Sequence, residues 1–237
     1  MEEIMTKRAT LLIYAKPPRI GLSKTRLAKS LASSTMARRI ASMTLARTLK
    51  AAASSAWESR LYLTPAGAKI GRMNGLARRV RIIDQGRGTL SDRLNKGLAE
   101  APPGPVIFIG SDAPDINSAR VRDAVRKLAT HDAVYGPAHD GGFWLFGLNK
   151  SLRTKSPFKN IRWSGPDALA DVLSRLPKTA KLAELETLID IDDAQDLSRW
   201  TGDSRTVAVP YKPVPVASST KKPKRGFFGW LFGKKAA

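Results

Sequence analysis

Short apolar runs alternate with helix-forming segments along most of this chain, and that alternation restricts its folds more than any other feature. TLLIYA at 10–15, RLYL at 60–63, VRII at 80–83 and the apolar run at 105–109 each read as a buried strand. Residues 34–56, rich in Ala, Leu, Met and Arg, read as a helix, as do 90–100 and 118–129. Val121, Val125 and Leu128 give the last of these an apolar side. Such alternation predicts a three-layer α/β/α arrangement, a mostly parallel sheet with helices on both faces. Beyond residue 131 the pattern changes. Residues 132–136 and 143–148 read as strands joined by PAHDGG, 165–176 as a helix, 188–191 as a short strand and 193–200 as a last helix. The sheet is therefore expected to be mixed. There is no internal repeat, and 42% hydrophobic side chains in 237 residues suffice for one core spanning residues 1–202.

After Gly202 the composition shifts to a Pro-, Val-, Ser- and Lys-rich linker over 203–226, then to an aromatic tail, FFGWLFGKKAA, over 227–237. Aromatic anchors beside lysines suit an anionic membrane surface; a disordered tail or a docking peptide for a protein partner are the competing readings. The start of the chain carries acids at its tip and lacks the apolar core and cleavage site of a signal peptide, so the cytoplasm is the expected location. The formal charge is +21, and only eight Lys+Arg against one acid lie from Asp203 onward, so the domain itself is basic. That excess favours anionic partners such as nucleotides and phosphorylated compounds. Nucleic acid is the weaker expectation, because the basic residues are not interleaved with regularly spaced stacking aromatics. The absence of cysteine excludes thiol chemistry, and with His131 and His139 as the only histidines a polyhistidine metal site is not expected.

In open α/β sheets ligands bind beyond the carboxyl ends of the strands, and four clusters are expected there. The first, AKPPRIGLSKTRLA at 15–28, offers Lys16, Lys24 and Arg26 to phosphate and Gly21 for close backbone approach. It has neither Walker A nor G-x-G-x-x-G spacing, and alone it also reads as a basic surface loop. The second, GSDAPD, ends a dry strand in acid. Asp115 or Asn117 reads as the cap of the next helix, but Asp112 stands too early for that. Asp112 is therefore a candidate ligand for Mg²⁺ or Mn²⁺, which bridge carboxylates to phosphate oxygens. The third cluster holds Asp140, Gly141 and Gly142, which a plain hairpin turn would explain without function, and Phe143, Trp144 and Phe146, which read as core. The fourth, LIDIDDAQDL, places Asp190 and Asp192 at alternating positions of the expected strand, hence on one face. Asp190 is a second candidate metal ligand, while Asp192 or Asp193 also reads as a helix cap.

Taken in order, KPPRIGLSKTRLA, QGRGTLSDRL, VIFIGSDAPDI, DAVYGPAHDGGFWLFGL, IRWSGPDAL and LIDIDDAQDL resemble a bacterial GT-A-like glycosyltransferase family, often labelled radical-SAM/selenodomain-associated transferases. The resemblance covers about residues 9–200, and the chain is more distantly similar to phospholactate and phosphoenolpyruvate guanylyltransferases. It implies the nucleotide-diphospho-sugar transferase fold and a metal-dependent transferase, using either a nucleotide-sugar donor or a nucleoside triphosphate with pyrophosphate release. It also implies roles. Lys24 and Arg26 would hold phosphates, Asp112 would hold metal, and Asp190 and Asp192 would supply a second metal contact. Asp140, Gly141, Gly142, Trp163 and Ser164 would line the side of a small acceptor, with Asp112 and Asp140 as the catalytic candidates. The chain departs from the pattern at Ile20, where relatives often have Pro, and at Thr89 and Ser91, where they often have Asp and Gly. Those departures keep a third reading open: a scaffold that binds nucleotide without turnover, or binds none.

Overall fold

A computed structural model describes residues 8–71, 75 and 80–202. Strands β1 (Ala9–Ala15), β2 (Trp57–Leu63), β3 (Val80–Asp84), β4 (Gly104–Ile109), β5 (Ala133–Pro137), β6 (Phe143–Lys150) and β7 (Leu182–Glu184) form one sheet in the order β3-β2-β1-β4-β6-β5-β7. Only β6 runs antiparallel to its neighbours, β4 and β5. The expected mostly parallel mixed sheet is what forms, with helices on both faces. The carboxyl ends of β1 to β5 therefore share one edge, and the turn from β5 to β6 joins them there.

Strand alternation divides the core into two layers. On one face Leu11 and Ile13 of β1 pack with Leu45 and Leu49 from α2 (Ser34–Ala52) and with Val121 from α4 (Ser118–Lys127). On the other, Leu12, Phe108 and Phe146 pack with Leu94 and Leu98 from α3 (Leu90–Glu100) and Val172 from α5 (Ala168–Ser174). A third, smaller cluster joins Leu27 of α1 (Thr25–Ser30), Ile40, Ile191 and Leu197 of α6 (Ala194–Thr201). It fixes the segment before α6 against the loop after β1.

Two expectations need correction. The helix expected over 34–56 stops at Ala52, because β2 begins early, at Trp57. The Trp57 indole N–H (2.9 Å) and the Ser59 hydroxyl (2.8 Å) both donate to the Ala52 carbonyl, which ends the helical ladder there. The strand expected at 188–191 is replaced by β7 at Leu182–Glu184; Leu188 makes only an isolated bridge to Ala138. Leu188 and Ile191 are buried by packing against the core, not by a ladder. Strand alternation therefore does not govern Asp190 and Asp192, with consequences described below. Among the described residues, no helix is long and apolar enough to cross a membrane. The linker and the aromatic tail lie outside the described residues.

Candidate active site

The carboxyl edge of the sheet carries two adjoining cavities that share Tyr14 and Leu90. The larger, about 320 Å³, lies over the ends of β1 to β4 and is lined by Lys16, Lys24, Arg26, Arg93, Asp112 and Asp192 among others. The smaller, about 190 Å³, lies toward the β5–β6 turn and is lined by Asp140, Asp190, Phe143, Trp163 and Ser164 among others.

Lys24 organises the larger cavity. It precedes α1 in a left-handed conformation (φ 52°), uncommon for a residue with a side chain, and only 5% of its side chain is exposed. Its ammonium pairs with Asp112 and, at 3.1 Å, with Asp192, which also takes Arg26. Burial pulls the Lys24 pKa down, but the two carboxylates outweigh it and hold it above the ordinary lysine value. Burial likewise raises Asp192, and Lys24 and Arg26 reverse that, leaving it below the usual carboxylate range. The backbone contributes to the juxtaposition, since Ile191 N–H donates to the Asp112 carbonyl at 3.2 Å.

Asp190 points the other way. It lines the smaller cavity with one carboxylate oxygen, Oδ1, wholly buried and without a hydrogen-bond partner. Burial first, then repulsion from Asp112, Asp140 and Asp192, push its pKa well above the usual value, with Lys24 offsetting part of the effect. Asp190 and Asp192, expected on one face, thus serve different cavities. Among the described residues, no three acidic or histidine side chains stand together in a geometry that holds a metal ion.

The capping alternatives resolve residue by residue. Asp193, not Asp192, caps α6, in a reciprocal box with Asp196. Asn117 caps α4, while Asp115 receives the Trp200 indole N–H on both oxygens at 3.1 Å. Asp140 does make the expected turn, its Oδ1 accepting from Gly142 N–H at 2.9 Å, and still lines the smaller cavity. Gly141 lies behind the wall at φ 85°, where a Cβ would meet the Pro166 carbonyl oxygen at 2.1 Å. Gly21 turns its loop at φ 78° in open space and lines neither cavity. Trp144 and Phe146 are core, as expected, whereas Phe143 is half-buried and forms cavity wall.

The departures in QGRGTLSDRL acquire structural roles. Thr89 caps α3 in a reciprocal box with Asp92, and Ser91 Oγ accepts the Trp163 indole N–H at 2.8 Å. Two residues of this block went unassigned from sequence. Gln85, only 4% exposed, donates to the carbonyls of Ala15 (3.1 Å) and Tyr62 (2.9 Å), lashing together the ends of β1 and β2. Its side-chain oxygen accepts from Arg93 Nη1 at 3.4 Å, and Arg93 Nε is buried without a partner at the wall of the larger cavity. The block itself was the signal, but nothing in its spacing showed which way Arg93 turns.

The family model described as "uncharacterized protein conserved in bacteria (DUF2064)" matches residues 45–165. The chain belongs to the DUF2064 family. Residues 45–165 of this DUF2064 protein run from within α2 to the segment before α5, and so include Asp112, Asp140, Trp163 and Ser164. No curated protein matches the chain. Among solved structures, a candidate nucleotide-diphospho-sugar transferase from Desulfovibrio desulfuricans G20 superposes with a TM-score of 0.69 at 23% identity, over 81% of this chain and 86% of that one. A 4-diphosphocytidyl-2C-methyl-D-erythritol synthase from Anaerococcus prevotii DSM 20548 gives 0.54 at 11% identity, over 84% and 98%. A nucleotidyl transferase from Methanothermobacter gives 0.54 at 14% identity, over 84% and 99%. At these identities the likeness establishes the fold, one shared by enzymes that use nucleotides.

Proposed function

We propose that this DUF2064 protein is a metal-dependent glycosyltransferase that holds a nucleotide-sugar in the larger cavity and a small acceptor in the smaller one. The observation that carries the reading is the larger cavity itself: Lys16, Lys24, Arg26 and Arg93 beside Asp112 and Asp192, at the carboxyl ends of four parallel strands. Such a site suits a diphosphate and a cation together. Both carboxylates are held by Lys24, a cation in the place where charge compensation is needed.

The residues fit Mg²⁺ or Mn²⁺. These ions bind through one or two carboxylates and complete their shell with phosphate oxygens and water, so a cage of three protein ligands is not required. Asp112 and Asp192 are the carboxylates offered, with the unpartnered Asp190 Oδ1 close behind them. A bound ion would supply charge neutralisation for the departing diphosphate. The chain's own residues do the rest. Lys24, Arg26 and Arg93 hold phosphate oxygens, and Lys24 exchanges carboxylate partners for phosphate as the nucleotide enters. The acceptor oxygen bonds to the anomeric carbon of the donor sugar, and the bond from that carbon to the phosphate oxygen breaks. Its electron pair leaves with the nucleoside diphosphate. Asp140, at the exposed rim of the smaller cavity, takes the hydroxyl proton.

Nucleotidyl transfer is the second reading. The four cations of the larger cavity equally suit a triphosphate, in which case pyrophosphate leaves. Thermal shift against nucleoside diphosphates, nucleotide-sugars and triphosphates, with and without Mg²⁺ or Mn²⁺, tests both. Metal-dependent stabilisation by a nucleotide-sugar, lost in Asp112→Ala and followed by release of free nucleoside diphosphate, is the expected result. Stabilisation unchanged in Asp112→Ala would remove the metal role, and no shift with any nucleotide would leave the scaffold reading.

A further inference from the structure

The proposed function leaves the acceptor unspecified, and the smaller cavity narrows its chemistry. Among the described residues, no lysine or arginine lines it. Two cations close to it in sequence or at the same edge are engaged elsewhere. Arg162, beside Trp163, is held by Asp171 and Asp167 at 2.7 Å each, and Lys24 is held by Asp112 and Asp192. What faces the cavity is two carboxyl groups and a set of rings. Asp140 stands at the rim, and Asp190 carries a buried carboxylate oxygen without a hydrogen-bond partner. Phe143 and Trp163 meet edge to face with centroids 6.2 Å apart and form one wall. Trp163 is fixed there by its bond to Ser91. Ser164 follows in a left-handed conformation (φ 65°), uncommon for a residue with a side chain.

Carboxylates accept hydrogen bonds from hydroxyl and amino groups, and ring faces pack against the C–H side of a saturated ring. A phosphate or carboxylate in the same space would meet the Asp140 carboxylate with no lysine or arginine among the lining residues, and like charges without compensation are costly at a partly desolvated site. At about 190 Å³ the cavity is also smaller than the roughly 300–1,000 Å³ of drug-sized sites, so the portion it encloses is small. We infer that the acceptor is an uncharged or amino-bearing polyhydroxylated compound, held by Asp140, Asp190 and the Phe143–Trp163 wall, and not a phosphorylated one. This rests on the two-cavity reading above, and it sets that reading against transfer to a phosphorylated acceptor.

The test uses the full chain with Mg²⁺ and a nucleoside diphosphate, and follows saturation-transfer NMR from protein to methyl glucoside, myo-inositol, glucosamine and glucose 6-phosphate. Transfer to uncharged or amino members, at least tenfold weaker binding of the phosphate, loss of transfer in Trp163→Ala and its retention in Trp163→Phe are the expected results. If Trp163→Ala does not fold, Phe143→Leu on the same wall replaces it. Equal or tighter binding of glucose 6-phosphate overturns the inference, as does transfer to none of the four, or transfer that survives both wall variants unchanged. Nucleotide binding is titrated on the same samples. Its absence counts against the donor site, whereas nucleotide binding accompanied by a preference for phosphate counts only against the acceptor class.

Discussion

The two cavities meet at Tyr14 and Leu90, yet one sets four cations beside two acids while the other is acidic and aromatic. The contrast follows the strand directions. The larger cavity lies over ends of parallel strands, where each chain leaves the sheet into a loop and the loop after β1 delivers Lys16, Lys24 and Arg26. The smaller cavity lies at an antiparallel turn, where Asp140 closes the hairpin and Phe143 starts the return strand. The wall between them is built to be neutral and still. The Tyr14 hydroxyl donates to the Arg93 carbonyl at 3.0 Å, its ring stacks on Tyr62 at 5.0 Å, and burial keeps its pKa above the ordinary tyrosine value. A net charge of +21 therefore says little about any one site; what a ligand meets is the local set of charges.

Removing the cation at the centre of the larger cavity should break the contrast most severely. Lys24→Met leaves Asp112 and Asp192 facing each other with Arg26 as the remaining partner. Nucleotide affinity is expected to fall about a hundredfold, since hydrogen bonds to charged groups contribute roughly 1.5–3 kcal/mol and phosphate loses such a donor. Isothermal titration with a nucleoside diphosphate and Mg²⁺ measures it. Polyol binding at the smaller cavity should persist; if both fall together, the cavities are not separable.

Gly141→Ala attacks the other side. The new Cβ would sit 2.1 Å from the Pro166 carbonyl oxygen at a φ of 85°, so the 164–166 wall must move. The cost is expected to be about 2 kcal/mol, which in a chain of this size lowers the melting temperature by roughly 4–8 °C. Nucleotide affinity measured below that temperature should be unchanged and polyol binding lost. A melting temperature within a degree of the parent would show that the wall yields freely.

Trp163→Phe is a gentler probe of the same wall. An aromatic ring remains, while the 2.8 Å bond to Ser91 Oγ and part of the ring packing on Phe143 and Phe158 are lost, a change of about 1–2 kcal/mol. Chemical denaturation should show that loss, with polyol binding weakened by less than tenfold. An unchanged midpoint would mean that neither the bond to Ser91 nor the lost part of the indole contributes to stability.

How much of this was legible in the sequence depends on how local the cause is. The strand ending at Ile109 and the turn at Asp140–Gly142 follow from neighbouring residues, and both were readable. So was α3, whose ends match the expected 90–100, because its cap and its apolar spacing lie within the segment. The pairing of Lys24 with Asp192 spans 168 positions, and no local pattern announces it. The placement of Asp190 was misjudged for a related reason. LIDI has the composition of a strand, but β7 takes the ladder position beside β5, so Asp190 and Asp192 follow an irregular path into separate cavities. Arg93 was hidden because the orientation of α3 against the sheet, not spacing, turns it toward the strand ends, and Gln85 because its partners, Ala15 and Tyr62, lie 70 and 23 positions away.

The smallest expected effect concerns the ion pair that steadies the wall from outside. Asp171 accepts from the Arg162 backbone N–H at 2.9 Å and from its guanidinium at 2.7 Å, one residue before Trp163. Hydrogen bonds from Arg162 lower the Asp171 pKa from 3.8 to about 2. A carboxylate depressed in the folded state contributes stability that is complete above its unfolded pKa and is lost as pH falls toward the folded one. Asp171→Asn should therefore melt slightly below the parent at neutral pH, and the gap should close between about pH 4 and pH 2. Differential scanning calorimetry across that window measures it. Because the Arg162 side of the pair is exposed, salt should shrink the neutral-pH gap as well. A gap independent of both pH and salt would assign the role of Asp171 to its backbone contact alone, and the wall of the smaller cavity would then owe nothing to the charge of Arg162.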